Sequence, residues 1–170
     1  RALALVAPFF FKEVFPLNTQ NIPFGGYEPG GLSALLALQS AYYAREWGFS
    51  QAYEAVVAAS ISEFLKRFTP ERYFVQLVKA GDDVKGGIVI DSRDGSLAQL
   101  HWFILSADLR GSGTGRTLIS NAMNFVRQIA YPRVYLTTFA GLDSARRLYE
   151  DAGFTLTTSP TGTTWGREVT

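Results

Sequence analysis

The spacing of apolar residues changes along the chain, and each change marks a new kind of element. Leu32, Leu35, Leu36 and the run Gln39 to Tyr43 recur at helical spacing and stop at Gly48, which predicts a helix over Gly31–Trp47. Ser50 offers an N-cap for a second helix whose apolar face is Val57, Ile61, Phe64, Leu65 and Phe68, ended by Pro70. From Arg72 the period falls to two. Tyr73, Val75 and Leu77 alternate, Gly81-Asp82-Asp83 turns, and Lys85 to Asp91 returns as the second arm of a hairpin. A turn at Asp94-Gly95 leads into Leu97–Leu105, which is apolar on both sides, as a strand in the middle of a sheet should be. Leu118, Ala122, Met123, Val126 and Ile129 then define an amphipathic helix from near Thr117 to before Pro132. Val134–Thr137 reads as a short strand, Ser144–Ala152 as a helix closed by Gly153, and Phe154–Thr157 as a last strand. The order is mixed α/β, antiparallel at first and with one βαβ crossover.

Asn18–Gly31 is rich in Gly, Pro and Asn and reads as a linker or a short strand between turns. Ahead of it, Ala2–Phe11 is almost wholly apolar. It is about half the length that spans a bilayer, Pro8 interrupts it, and Lys12 and Glu13 close it. We therefore expect residues 1–24 to be an apolar extension that packs on the domain or on a partner, and residues 25–170 to be the domain proper. Any membrane contact would have to come through residues 2–11. A start at Arg1 rather than Met is what a fragment or processed form would show.

Composition narrows the function. At 170 residues, 47% of them hydrophobic, the chain is long enough for one domain with a core of its own. Sixteen basic against fifteen acidic residues give no field for nucleic acid. The absence of Cys excludes disulfides and thiolate sites, and a single His speaks against a metal centre. The cytoplasm is the default location.

The chemistry concentrates at Arg110-Gly111-Ser112-Gly113-Thr114-Gly115-Arg116, which links the long strand to the following helix. Glycines at alternate positions let main-chain N–H groups approach an anion, the helix start adds its positive dipole end, and two guanidinium groups flank the turn. The spacing does not fit G-x-G-x-x-G, and no Gly-Lys-Ser/Thr is present, so neither a dinucleotide fold nor a P-loop is indicated.

Arg-x-x-Gly-x-Gly, here Arg110, Gly113 and Gly115, resembles motif A of the GCN5-related N-acetyltransferases (GNAT). Ala145-Arg146-Arg147-Leu148-Tyr149-Glu150-Asp151-Ala152-Gly153-Phe154 resembles motif B of the same superfamily. The likeness covers roughly residues 27–167. It is nearest to domains often fused to winged-helix regulators of the multiple-antibiotic-resistance (MarR) type, through Tyr43-Ala44-Arg45-Glu46-Trp47-Gly48, Leu136-Thr137-Thr138-Phe139, Gly141-Leu142-Asp143 and Trp165-Gly166-Arg167-Glu168. It implies a GNAT α/β fold: a mixed, mostly antiparallel twisted sheet between helices in three layers, with a further strand beyond Trp165.

The resemblance also implies an activity, transfer of an acetyl group from acetyl-CoA to a primary amine on a small molecule or peptide, with no metal. In that scheme Phe103, Ile104 and Leu105 pair with the pantetheine arm, and Gly111, Ser112, Thr114 and the other residues of the turn hold the diphosphate. Tyr149 protonates the leaving thiolate, and Ser144 lies beside the cofactor. Leu142 stands where many members have an Asn that contacts the pantetheine; Asp143, one position on, is expected to cap the helix, with Ser144 as the second candidate. His101 is a candidate base, because imidazole has a suitable ordinary pKa. Strict alternation puts it on one face with Phe103 and Leu105. Glu46 and Glu63, acting through water, are alternatives. Tyr43, Trp47 and Phe49 are expected to wall the acceptor site. The alternative function is a noncatalytic acyl-CoA-binding or interaction domain, and a homodimer is left open.

Overall fold

The structure is a computed structural model that describes residues 3–7 and 23–158. Its elements in chain order are β1 (Leu3–Ala7), β2 (Phe24–Gly25), α1 (Gly31–Trp47), α2 (Gln51–Leu65), β3 (Phe74–Ala80), β4 (Asp83–Ser92), β5 (Ala98–Leu105), α3 (Thr114–Gln128), β6 (Val134–Thr138), α4 (Asp143–Asp151) and β7 (Thr155–Thr158). The expected strand beyond Trp165 lies outside the described residues.

Helix α1 ends where the glycine demanded. Gly48 takes φ 66°, and its N–H and that of Phe49 bond to the carbonyls of Ala44 and Tyr43. Helix α2 begins as expected, with Ser50 Oγ accepting from the Ala52 N–H at 3.3 Å. Helix α3 starts one turn earlier than the apolar pattern indicated, at Thr114 with Gly113 as N-cap, so half of the glycine turn is helical. Neither Asp143 nor Ser144 caps α4. Leu142 occupies the N-cap position with no side-chain bond, and Asp143 adds negative charge to the first turn.

Among the described residues the sheet has seven strands in the order β2-β3-β4-β5-β6-β1-β7, antiparallel except where β5 meets β6. Helices α1 and α2 cover one face and α3 and α4 the other, giving three layers. The α3/α4 face packs Ile88, Ile90, Leu100, Leu118, Val126 and Leu136. The α1/α2 face is more aromatic, with Phe49, Tyr53, Phe64, Tyr73, Trp102 and Phe139. Strand β1 comes from the segment that the sequence set apart as an extension. It lies inside the sheet, antiparallel to both β6 and β7.

Strand β5 carries a bulge. Val89 faces His101 and Gly87 faces Ile104, so β5 spends one more residue than β4 over the same span, and Trp102 adopts φ 46°. The bulge breaks the alternation expected for this strand. His101 and Trp102 both face α2, stacked with ring centroids 4.8 Å apart, whereas Phe103 and Leu105 pack on the α3/α4 face. His101 and Phe103 are therefore on opposite faces, a correction to the sequence reading.

Candidate active site

The parallel pairing of β5 and β6 stops after Ala98 with Val134 and Gln99 with Tyr135. Beyond that point β5 stays on β4 as far as Leu105 and β6 stays on β1 as far as Thr138, so the two strands part. A cleft of about 890 Å³ occupies the opening. It runs from the glycine turn, past Phe103, Ile104, Leu105 and Tyr149, to Asp91, His101 and Arg67 under α2.

At the glycine turn the main chain does most of the shaping. Gly111 and Gly113 have φ 76° and 87°, in the left-handed region that L side chains enter at a cost. The helical hydrogen-bond ladder opens with the Thr117 N–H on the Gly113 carbonyl, which leaves the Gly115 and Arg116 N–H groups ahead of it without an intrahelical acceptor. Ser112 and Thr114 turn inward: their hydroxyls are 2.7 Å apart, and Ser112 Oγ donates to the Leu109 carbonyl at 2.7 Å. Arg110 donates from Nε to the Leu105 carbonyl at 3.3 Å and lays its guanidinium 4.6 Å over the Tyr42 ring. Arg116 is exposed, 3.7 Å from Asp151. Free N–H groups at a helix start, with two guanidinium groups beside them, suit a diphosphate, and the open strand edge beyond suits an extended amide arm.

Tyr149 sits at the junction on α4. It is 6% exposed, with its ring 6.0 Å from Phe103 and 6.1 Å from Phe154. Burial, and then the neighbouring Tyr43 phenol, push its pKa well above the ordinary phenol value, so the hydroxyl keeps its proton. Burial raises Tyr43 likewise, with Tyr42 adding to the rise and the Arg110 charge opposing it. Tyr43 lines the cleft. Trp47 and Phe49 lie behind it: Phe49 stacks on Tyr43 at 5.5 Å, while Trp47 meets Phe139 edge-on at 4.9 Å. Gly141, at φ 98°, admits Trp47 so closely that a Cβ there would lie 2.2 Å from its ring. Ser144 reaches the cleft from the first turn of α4.

The far end holds residues that the sequence reading did not single out. Asp91, 5% exposed, takes a two-point bond from Arg67 through Nη1–Oδ1 and, at 2.6 Å, Nη2–Oδ2. The His101 Nε2 lies 3.6 Å from Asp91 Oδ2. Burial alone raises the Asp91 pKa, but bonds from His101 and Arg67 outweigh it and hold the carboxyl well below the usual range. Gln39, buried between Leu35 and Tyr43 on one face of α1, also lines the cleft. The sequence signals were a carboxylate closing the apolar run Ile88-Val89-Ile90 and a polar residue in a buried helical stripe. Glu46 and Glu63 are exposed and bond to Arg45 and Lys66 instead of facing the cleft. Among the described residues no group of three or more His, Asp or Glu could hold a metal ion, and no helix is long and apolar enough to cross a membrane.

A sheet that opens beside a glycine turn and a helix start is the frame of an acyltransferase, and comparison with known proteins agrees. A family model described as the acetyltransferase (GNAT) family matches residues 32–154, and the chain belongs to that family, whose members use an acyl-CoA as co-substrate. Its fold is similar to that of an acetyltransferase from Streptococcus agalactiae, at 21% identity and TM-score 0.67 over 82% of this chain and 86% of that one. A GNAT acetyltransferase from Staphylococcus aureus matches at 13% identity and TM-score 0.65, over 77% and 81% of the two chains. A GCN5-related N-acetyltransferase from Sphaerobacter thermophilus matches at 17% identity and TM-score 0.63, over 92% of this chain and 48% of that one. No curated protein matches the chain.

Proposed function

We propose that the protein moves an acetyl group from acetyl-CoA to a primary amine by direct attack, with Tyr149 as general acid. The observation that carries this reading is the buried, proton-retaining Tyr149 at the point where β5 and β6 part, in the same cleft as the glycine turn. The free N–H groups of Gly115 and Arg116, with Arg110 and Arg116, would take the diphosphate. The unpaired edge of β5 from Phe103 to Leu105 would bond the pantetheine amides and orient the thioester. The amine nitrogen forms the new C–N bond at the thioester carbon, and the C–S bond breaks. Tyr149 gives its proton to the departing sulfur, and the proton shed by the amine passes to His101. Tyr43 forms the near wall of the acceptor side, braced by Trp47 and Phe49. The nearer likeness to domains fused to winged-helix regulators rests on the motifs alone.

Tyr149→Phe tests the acid. Turnover should fall by about tenfold or more while acetyl-CoA binding is kept, as for loss of one general acid. Wild-type turnover in this variant removes Tyr149 from the role. Acetyl-CoA binding without thiol release for any amine would favour the noncatalytic alternative.

A further inference from the structure

The side of the cleft formed by α1 and α2 carries two unmet demands. Gln39 is 4% exposed, and its Oε1 is buried with no hydrogen-bond partner, although the residue lines the cleft. A carbonyl oxygen left in that state is costly and calls for an N–H donor from whatever fills the space. Val56, on the cleft side of α2, is 42% exposed, and Tyr53, Val57, Trp102 and Phe139 continue the apolar lining around it. A ligand with an N–H and an apolar body satisfies both demands at once.

The charges in the cleft narrow the class. Asp91 already holds Arg67 by two points, Asp151 lies beside Arg116, and Asp143 belongs to the first turn of α4, where Arg146 feels its charge. Arg93 adds a cation to the Arg67 end, where its charge reaches Glu63 and Tyr135. At that end a second ammonium group would meet guanidinium groups and an already engaged carboxylate. Bringing it out of water beside them is unfavourable. We infer that the acceptor site is built for a monoamine with an apolar or aromatic body and discriminates against diamines, polyamines and lysine-rich peptides. Gln39 acts as the hydrogen-bond acceptor for the amine, and Val56 as part of its apolar seat. This inference rests on the reading of the cleft as an acetyl-transfer site.

The test measures amine binding separately from turnover. Phenethylamine and putrescine are titrated calorimetrically into the full chain saturated with CoA, and thiol release from acetyl-CoA is followed in parallel with the same amines. Phenethylamine should bind about tenfold more tightly than putrescine or better, the size of effect expected when one charged group is desolvated without a partner. Gln39→Leu, which keeps the bulk and removes the carbonyl, should weaken phenethylamine about fivefold and leave CoA binding unchanged. Val56→Asp, at an exposed helix position, should narrow or reverse the preference. Equal or tighter binding of putrescine, no binding of either amine, or an unaltered phenethylamine affinity in Gln39→Leu overturns the inference. Selective binding without thiol release leaves it standing and sinks the acetyl-transfer reading. Thiol release fastest with putrescine does the reverse.

Discussion

At the glycine turn the cleft is bounded by main chain, whereas under α2 it is bounded by side chains. The first end depends on two left-handed glycines and the free N–H groups that start α3. The second depends on a buried ion pair, the imidazole beside it, the unpartnered carbonyl of Gln39 on the neighbouring α1, and an aromatic and aliphatic lining. Main-chain recognition needs a fixed local conformation and tolerates few sequences, so it leaves a motif. Side-chain recognition is assembled from distant positions and can be rewritten one residue at a time. One end of such a site can therefore stay constant for a common donor while the other is fitted to its own acceptor.

Substitutions at the two ends should separate these principles. The largest effect is expected from Arg67→Met, which leaves Asp91 buried without its guanidinium. Urea denaturation should show a loss of about 3–5 kcal/mol, whereas a loss near zero would mean that the pair behaves like an exposed one. Gly141→Ala drives a Cβ into the Trp47 ring at a left-handed position, and it should cost about 2–3 kcal/mol and change the tryptophan fluorescence. At the main-chain end, Gly113→Ala should cost only about 1–2 kcal/mol of stability, yet weaken acetyl-CoA binding without altering amine preference. A changed preference would dissolve the division between the ends.

The smallest effect near neutrality comes from pH. The Asp91 carboxyl has a lowered pKa in the folded protein, so its contribution is complete above the unfolded carboxylate value of about 4. It fades as the pH falls below that value toward the folded one. Wild type and Asp91→Asn should then converge in stability as the pH falls below about 4. A stability difference that persisted unchanged in acid would show that another group controls this corner.

What the sequence revealed follows the same line. Helix α1 was legible to the residue because its periodicity and its glycine stop are local, and the hairpin of β3 and β4 was legible for the same reason. The glycine turn and the Tyr149 helix were legible as motifs. The bulge at Trp102 was not, because a tryptophan with positive φ has no local signature, and the slip it causes moved His101 away from the face of Phe103. Arg67 and Asp91 are separated by 24 positions and meet only when α2 lies across the sheet. Strand β1 gave no sign of its partners, because its whole pairing is with residues more than a hundred positions away.

That placement of β1 has a consequence for how the molecule comes into being. Leu3–Ala7 leaves the ribosome more than a hundred residues ahead of its partners Val134–Thr138 and Thr155–Thr158, and among the described strands β7 joins the sheet through it alone. While synthesis proceeds, this apolar segment has no native neighbour, and the inner strands can pair long before it does. The sheet closes as a clasp, an early strand held between two later ones, and only a chain translated through β7 can fasten it.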